Sequence, residues 1–446
     1  MSKTTLTRKI DSMKTSNRFA FLPSFFLATV FVIGNIGIAQ QALAAEMKQI
    51  QASQMNALAD KEAPELLKTL EELVAIESGS TDLEGLAKMQ ATIGKKLDQM
   101  GIPYQVIQGS GNTKTGAMVM VKLKGNGTAK IAMIAHMDTV YQRGDSKKQP
   151  FKVVDGRAYG LGIQDDRAGI AVILHTLKMI KAAGINSFGE LTILINADEE
   201  IGSPGSKETI MALGEANDLV ISCETSGTKA DYVRLATSSI ARADLTVQGK
   251  AAHSGANPDF GRNALYEMAH QVLQTRDINN IAPGVKFNWT LAQAGTVRNM
   301  IPPEAKATAD IRANKMSDFD LVEEKLKEKI QNHLIPDTTV TVDFIRARPP
   351  LVPTEKGLAV AKLAQSIAKE IQWPLEVLDT PTGGGTDAAY AQIRSRGAVI
   401  ESFGLQGFGG HTDDAEYILI NSIKPRLFIT SMLIDQYSKQ FAAEKK

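Results

Sequence analysis

Lys130-Ile-Ala-Met-Ile-Ala-His136-Met137-Asp138 is an apolar run that stops at a histidine, with an aspartate two positions on. Ile131 to Ala135 show no polar alternation, the pattern of a strand buried on both faces, as in a parallel sheet. In open α/β sheets the chemistry lies just past the carboxyl ends of the strands. His136 and Asp138 point the same way if the chain stays extended. They suit a metal ligand and the carboxylate that orients it. A lone histidine after an apolar run is more often a core or turn residue, so its meaning depends on its neighbours in space.

The same ending recurs. Gly160-Leu-Gly-Ile-Gln-Asp165-Asp166 precedes a predicted helix over Gly169–Ala183, stopped by Gly184. Leu191–Asn196 runs into Asp198-Glu199-Glu200, Leu219–Ser222 into Cys223-Glu224, and a strand over Ala398–Ser402 leads to Gly409-Gly410-His411. Each has an ordinary explanation alone: solvated loop charges at Glu199-Glu200, a turn at Asp165-Asp166, a cap at Glu224, a loop residue at His411. Parallel strands, however, put their carboxyl ends on one edge, so the set converges. Two imidazoles and several carboxylates suit zinc or a neighbouring divalent ion. They exceed what one tetrahedral zinc takes, whereas two metals sharing a bridging carboxylate would use them all. Cys223 is the single cysteine, which excludes a multi-thiolate site and an internal disulfide. His175, inside an apolar helical segment, reads as a packing or helix-surface residue.

Around this core, Ala63–Ile76 reads as an amphipathic helix with Pro64 in its first turn, and Leu83–Met100 as another, ending at Gly101. Met118–Lys122 and Lys130–Ala135 read as strands around the turn at Gly125–Gly127. From Ala241 the pattern changes to alternating strands: Ala241–Val247, a helix Asn263–Thr275, strands Phe287–Gln293 and Ala305–Ala313, a helix Asp318–His333, and a strand Thr338–Ile345. That is the β-α-β-β-α-β order of a ferredoxin-like unit. Helices return at Lys356–Ile371, from Gly383–Asp387 through Ala391, and over Ile423–Phe441. The predicted fold is α/β: a mostly parallel sheet flanked by helices, with an inserted ferredoxin-like α+β domain. Its domains are 45–237 with 350–446, and the insert 238–349.

The chain has 446 residues, with 43% hydrophobic and 22% charged, an ordinary globular composition. Lys3, Arg8, Lys9, Lys14 and Arg18 oppose only Asp11 at the start; Phe19–Ile38 is uncharged, and Ala42-Leu43-Ala44 follows. This layout predicts a secretory signal peptide over 1–44, cleaved after Ala44, and a secreted or periplasmic protein with no membrane association after removal. Without that leader the 50 basic and 49 acidic residues become 45 and 48, a net −3. Nothing there points to nucleic acid as a partner.

The strings HMDTVY, GLGIQDDRAG, NADEEIGSPGS, GKAAHSG, GTVRNMIP, TGGGTDAAY and GHTDDAEY resemble those of the dinuclear zinc exopeptidase family. That family spans glutamate carboxypeptidases of the carboxypeptidase G kind, to which the resemblance is closest, as well as aminoacylases, dipeptidases and succinyl-diaminopimelate desuccinylase. It covers the chain from about Leu66 to the final helix. It implies two zinc ions per subunit, held by His136, Asp165, Glu200, Glu224 and His411. Asp165 would bridge them, Asp138 would orient His136, and Glu199 would be the general base. His253, on the insert, would stabilise the tetrahedral oxyanion, in several relatives from a partner subunit, which implies a homodimer. Arg312 and Asn299 would recognise the substrate's free carboxylate, with backbone donors from Gly384, Gly385 and Thr386. With His253 and Arg312 on it, the insert would act as lid and dimerisation domain. The activity implied is hydrolysis of the amide before a C-terminal amino acid, glutamate foremost, in peptidyl, N-acyl or folyl-type conjugates. Tyr232 and Arg234 depart from the residues that hold the glutamate side chain in that group; Arg234, with Arg346 or Arg348, would take over. The alternatives are an aminoacylase or dipeptidase of the same family with another C-terminal preference or, in a different class, a non-catalytic periplasmic amino-acid-binding protein.

Overall fold

The run Lys130–His136 is the fourth strand of a six-stranded sheet ordered Tyr104–Ile107, Met118–Lys124, Glu190–Asn196, Lys130–His136, Leu219–Ser222, Ala398–Ile400. The computed structural model describes residues 51–111, 113–412 and 414–445, with Asn280 described by its backbone alone. The basic leader and Ala42-Leu43-Ala44 lie outside the described residues. The chain divides into two units, Met1–Ser53 and Gln54–Lys446. Of the first, only 51–53 are described, and they are helical; all that follows concerns the second.

Ile131 to His136 are all buried, as the absence of alternation predicts. The strand pairs in parallel with Glu190–Asn196 on one side and Leu219–Ser222 on the other, and Ala398–Ile400 continues in parallel. Met118–Lys124 is antiparallel to Glu190–Asn196, so this strand and Lys130–His136, neighbours in sequence, are separated in the sheet by a third. Helices Leu83–Gln99, Ala168–Ala182, Lys207–Ala216, Glu355–Glu370 and Ala388–Arg394 cover the sheet. Burial on both faces is what lets these strands be continuously apolar, each buried Ile or Leu contributing about 1.5–3 kcal/mol relative to exposure.

The second sheet is ordered Lys286–Ala294, Glu304–Ala313, Ser239–Gln248, Thr339–Arg348, all antiparallel, which is the ferredoxin-like arrangement read from the sequence. Ser239–Gln248 alternates strictly between buried and less buried positions from Ile240 on. Helices Ala264–Gln274 and Asp318–Lys329 lie against this sheet, and Leu245, Val247, Met268, Phe287, Ile311, Phe319 and Leu326 make a core of its own. Register shifts between Arg346 and Arg348, where the last strand returns to the larger sheet.

Three expectations need correction. Pro64 lies inside a helix that runs through 54–74, not in its first turn. It is tolerated because Pro64 and Asp60 are both exposed, so the carbonyl that loses its partner meets water. The helix from Asp318 ends at Lys329; beyond it the carbonyl of Asn332 accepts from the side chains of Gln271 and Gln274, an alternative to helical bonding. The glycine-rich 383–387 segment opens a helix with Asp387 at its N-cap, but the helix runs Ala388–Arg394, three residues beyond Ala391. His175 is a packing residue, its Nδ1 2.8 Å from Glu62 and its Nε2 2.9 Å from Thr69 Oγ1.

Candidate metal centre

The strand ends and loops bring the five expected ligands together. Asp165 Oδ1 lies 3.0 Å from His136 Nε2, and Asp165 Oδ2 lies 3.3 Å from His411 Nε2. Each oxygen of one carboxylate thus faces a different imidazole. Glu224 is 3.5 Å from His136 Nε2, and Glu200 is 3.1 Å from His411 Nε2. Two groups of three potential ligand atoms result, His136 with Glu199 and Glu224, and Asp165 with Glu200 and His411, each within 4.8 Å.

The electrostatics ask for a cation. Burial, then the charge of Asp165, pushes Glu224 well up and Glu200 to about 7. His411 is pushed up to about 11 by its bonds to Asp165 and Glu200. Burial opposes protonation of His136, but Asp138, Asp165 and Glu224 outweigh it and raise it well above the usual range. The protons on these imidazoles stand where divalent ions would relieve the clustered carboxylates. The donor set, nitrogen and oxygen only, fits zinc.

Neighbouring residues fix the ligands. His136 Nδ1 is 3.1 Å from the carbonyl and 3.3 Å from the carboxylate of Asp138, which sets Nε2 toward the centre. The same carboxylate accepts from Glu199 N and Glu200 N, 3.1 Å each, and from Ser80 Oγ at 2.7 Å. Asp138 therefore positions the base candidate as well as the histidine. The peptide bond Asp165-Asp166 is cis. Burial pushes Glu416 up to about 7, yet it accepts from Gly162 N at 2.7 Å, Gln164 N at 2.9 Å, Asp165 N at 3.2 Å and Tyr141 Oη at 2.7 Å. It ties the Asp165 loop to the His411 loop. Gly162 has φ +72°, and a Cβ there would meet Thr139 Cγ2 at 2.7 Å, so glycine is required.

A cleft of about 610 Å³ opens on the centre, lined by Asp165, Glu199, Glu200, Glu224 and His411 on one side and Arg242, Asp310 and Arg312 of the second sheet on the other. Gly384 and Gly385 line it too; a Cβ on Gly385 would meet Ile240 Cδ1 at 2.4 Å. Thr386 is not among the residues lining the cleft; its side chain is buried and its hydroxyl donates to Glu401. Of the substrate-binding set, Arg312 lines the cleft, bonded to both oxygens of Asp310 at 2.8 and 2.9 Å. His253 and Asn299 are exposed and are not among the residues lining the cleft. A second cavity of about 660 Å³, lined by Lys229, Tyr232, Glu376 and Phe408, shares Asp165 and His411 with the first. Arg234 donates to Tyr232 Oη at 2.9 Å and lies over its ring. Arg346 is spent on Asp320 and Glu323, 2.6 and 2.9 Å away, and Arg348 on Glu199. Arg346 is not among the residues lining the cleft, and Arg348 is buried against Glu199. The sequence reading passed over Arg242, Asp387 and Glu416; the last two sit inside the quoted strings TGGGTDAAY and GHTDDAEY.

A mixed sheet with clustered imidazoles and carboxylates at its strand ends is the setting of a metal-dependent enzyme. Residues 132–436 match Peptidase family M20/M25/M40, and the chain belongs to that family. It is 40% identical over 408 residues to carboxypeptidase G2 of Pseudomonas sp. (strain RS-16), covering 92% of this chain and 95% of that protein. Acetylornithine deacetylase of Myxococcus xanthus is 26% identical over 314 residues, 66% of this chain and 78% of its own length. Among solved structures, the M20 family metallo-carboxypeptidase Sso-CP2 from Sulfolobus solfataricus superimposes with TM-score 0.65 at 17% identity, covering 84% of this chain and 98% of its own. Human carnosine dipeptidase 1 gives 0.66 at 15%, covering 86% and 99%. At those identities the structures speak for the fold.

Proposed function

We propose that the protein is an exported carboxypeptidase that uses two zinc ions to release a C-terminal amino acid, glutamate foremost, from a peptidyl or N-acyl conjugate. The observation that carries this reading is Asp165, whose two oxygens face two separate imidazoles, the disposition of a bridging ligand. His136, Glu224 and Asp165 would hold one ion, and Glu200, His411 and Asp165 the other. Bound zinc supplies a Lewis acid for the scissile carbonyl and a water acidic enough to ionise near pH 7. Glu199, held on the cleft wall, takes a proton from the attacking water and delivers it to the departing amine. Arg312 and the Gly384–Gly385 backbone receive the α-carboxylate, and Arg242, also in the cleft, offers a second guanidinium for a side-chain carboxylate. The acyl portion occupies the second cavity.

His253 and Asn299 are adjacent, with Ser254 N donating to the Asn299 carbonyl at 3.1 Å, and both are exposed. The sheet-edge strand Lys286–Ala294 is exposed at Leu291, and the neighbouring helix at Tyr266 and Leu273. A second copy seated on this face would form a homodimer and carry its His253 to the oxyanion.

Glu199→Ala tests the assignment. An enzyme loses turnover while zinc content is kept. A protein that binds glutamate unchanged in both forms and hydrolyses nothing in either is the amino-acid binder instead.

A further inference from the structure

Arg348 is the last residue of the strand Thr339–Arg348 and follows the register shift that begins at Arg346. A bulge of this kind re-aims side chains. Here it sends Arg346 to Asp320 and Glu323 on the surface and Arg348 into the interior, where its side chain is 5% exposed. Arg348 Nη1 donates to Glu199 Oε1, and its Nη2 donates to the Glu199 carbonyl at 2.7 Å. One guanidinium thus holds the side chain and the main chain of the same residue. Arg348 is itself held from behind. Its Nη2 is 3.6 Å from Asp387 and 3.4 Å from Ser203 Oγ, and it lies over the Tyr390 ring, 5.7 Å from its centroid. Asp387 in turn accepts from Asn196 Nδ2 at 2.8 Å and from Ser203 Oγ.

Glu199 is therefore fixed at both ends of its backbone, its N–H by Asp138 and its carbonyl by Arg348. Arg348 engages Oε1 of Glu199, and a carboxylate oxygen of Glu199 lies within 4.8 Å of the ligand atoms of His136 and Glu224. We propose that Arg348 is a positioning residue for Glu199, carried on the insert, that aims the carboxylate at the attacking water and supplies the counter-charge on its far side. This rests on Glu199 being the base. It also assigns Arg348 a task other than receiving a substrate carboxylate, which the more exposed Arg312 and Arg242 are placed to do.

The test compares zinc-loaded wild type with Arg348→Lys and Arg348→Ala on a substrate that the wild type cleaves. If wild type cleaves no amide, the functional reading fails before Arg348 is examined. Given a working enzyme, loss of aim is expected to lower kcat about a hundredfold or more, with KM within about threefold. Zinc content and the inhibition constant of the released amino acid stay as in wild type, and added guanidinium ion partly restores kcat in Arg348→Ala. A raised KM and inhibition constant at unchanged kcat, or no kinetic change, overturns the proposal. If neither variant folds, a crystal structure of the zinc-loaded wild type with the released amino acid bound decides. Arg348 still on Glu199 supports the proposal, and Arg348 turned onto the amino acid's carboxylate overturns it.

Discussion

Replacing Glu416 with glutamine should weaken zinc binding more than it weakens the fold. The carboxylate accepts three backbone N–H groups, from Gly162, Gln164 and Asp165, and one phenol, from Tyr141. An amide keeps one acceptor oxygen and presents an NH₂ on the other side. Turned toward Tyr141, the NH₂ can donate to a rotated hydroxyl, which leaves the Gly162 N–H as the donor without an acceptor. That costs about 1–3 kcal/mol, and the remaining bonds lose their charge assistance, so the sum is about 2–4 kcal/mol. Spread over the whole unit, such a loss lowers Tm by only a few degrees, on the order of 1 °C per kcal/mol at this size. It falls, however, on the loop that presents Asp165, and each 1.4 kcal/mol of mispositioning is about tenfold in affinity. Zinc affinity should drop about 10- to 100-fold, the range for a lost ligand-orienting partner. Competition against a chelator of known affinity measures it, beside a melting curve of the metal-free protein. A variant with unchanged zinc affinity and a lowered Tm would show that Glu416 supports the fold without placing the ligands.

Three further outcomes follow from the structure. Mixing His253→Ala with Glu199→Ala, each inactive alone, should restore about a quarter of wild-type activity, since half the dimers are mixed and each has one intact site; no recovery after subunit exchange would place His253 in its own chain's site. Arg242→Ala should raise KM for glutamate-terminated substrates about tenfold and leave alanine-terminated ones within about twofold, the worth of one charge-assisted pair; equal effects on both would remove Arg242 from specificity. Burial lowers the pKa of His175 below its ordinary 6.5, so the unfolded chain binds the extra proton. Its stabilising effect is complete above about pH 6.5 and is lost as pH falls below that. The Tm of wild type should therefore fall more steeply toward about pH 5 than that of His175→Gln, and parallel slopes would contradict it.

The strand ends were legible because continuous burial leaves continuous apolar sequence, and the break to His136, Glu199 or Glu224 is abrupt. The ferredoxin-like order was legible for the complementary reason: one-sided burial in Ser239–Gln248 leaves alternation. What escaped depends on distant partners. Arg346 and Arg348 look alike in sequence, and a register shift alone separates the surface one from the buried one. Pro64 looked like a helix start because local rules know nothing of a solvent-facing turn. Glu416 was visible as a letter in a motif, but its three amide donors come from a loop some 250 positions earlier.

Metal-dependent hydrolysis ahead of a C-terminal residue is read out by release of free amino acid from N-acylated and dipeptide substrates ending in Glu, Asp, Ala, Leu or Lys, with chelator and with zinc restored. Chelator should abolish cleavage and added zinc should recover it, with glutamate well ahead. No cleavage of any of these substrates by folded, zinc-loaded protein would contradict that reading.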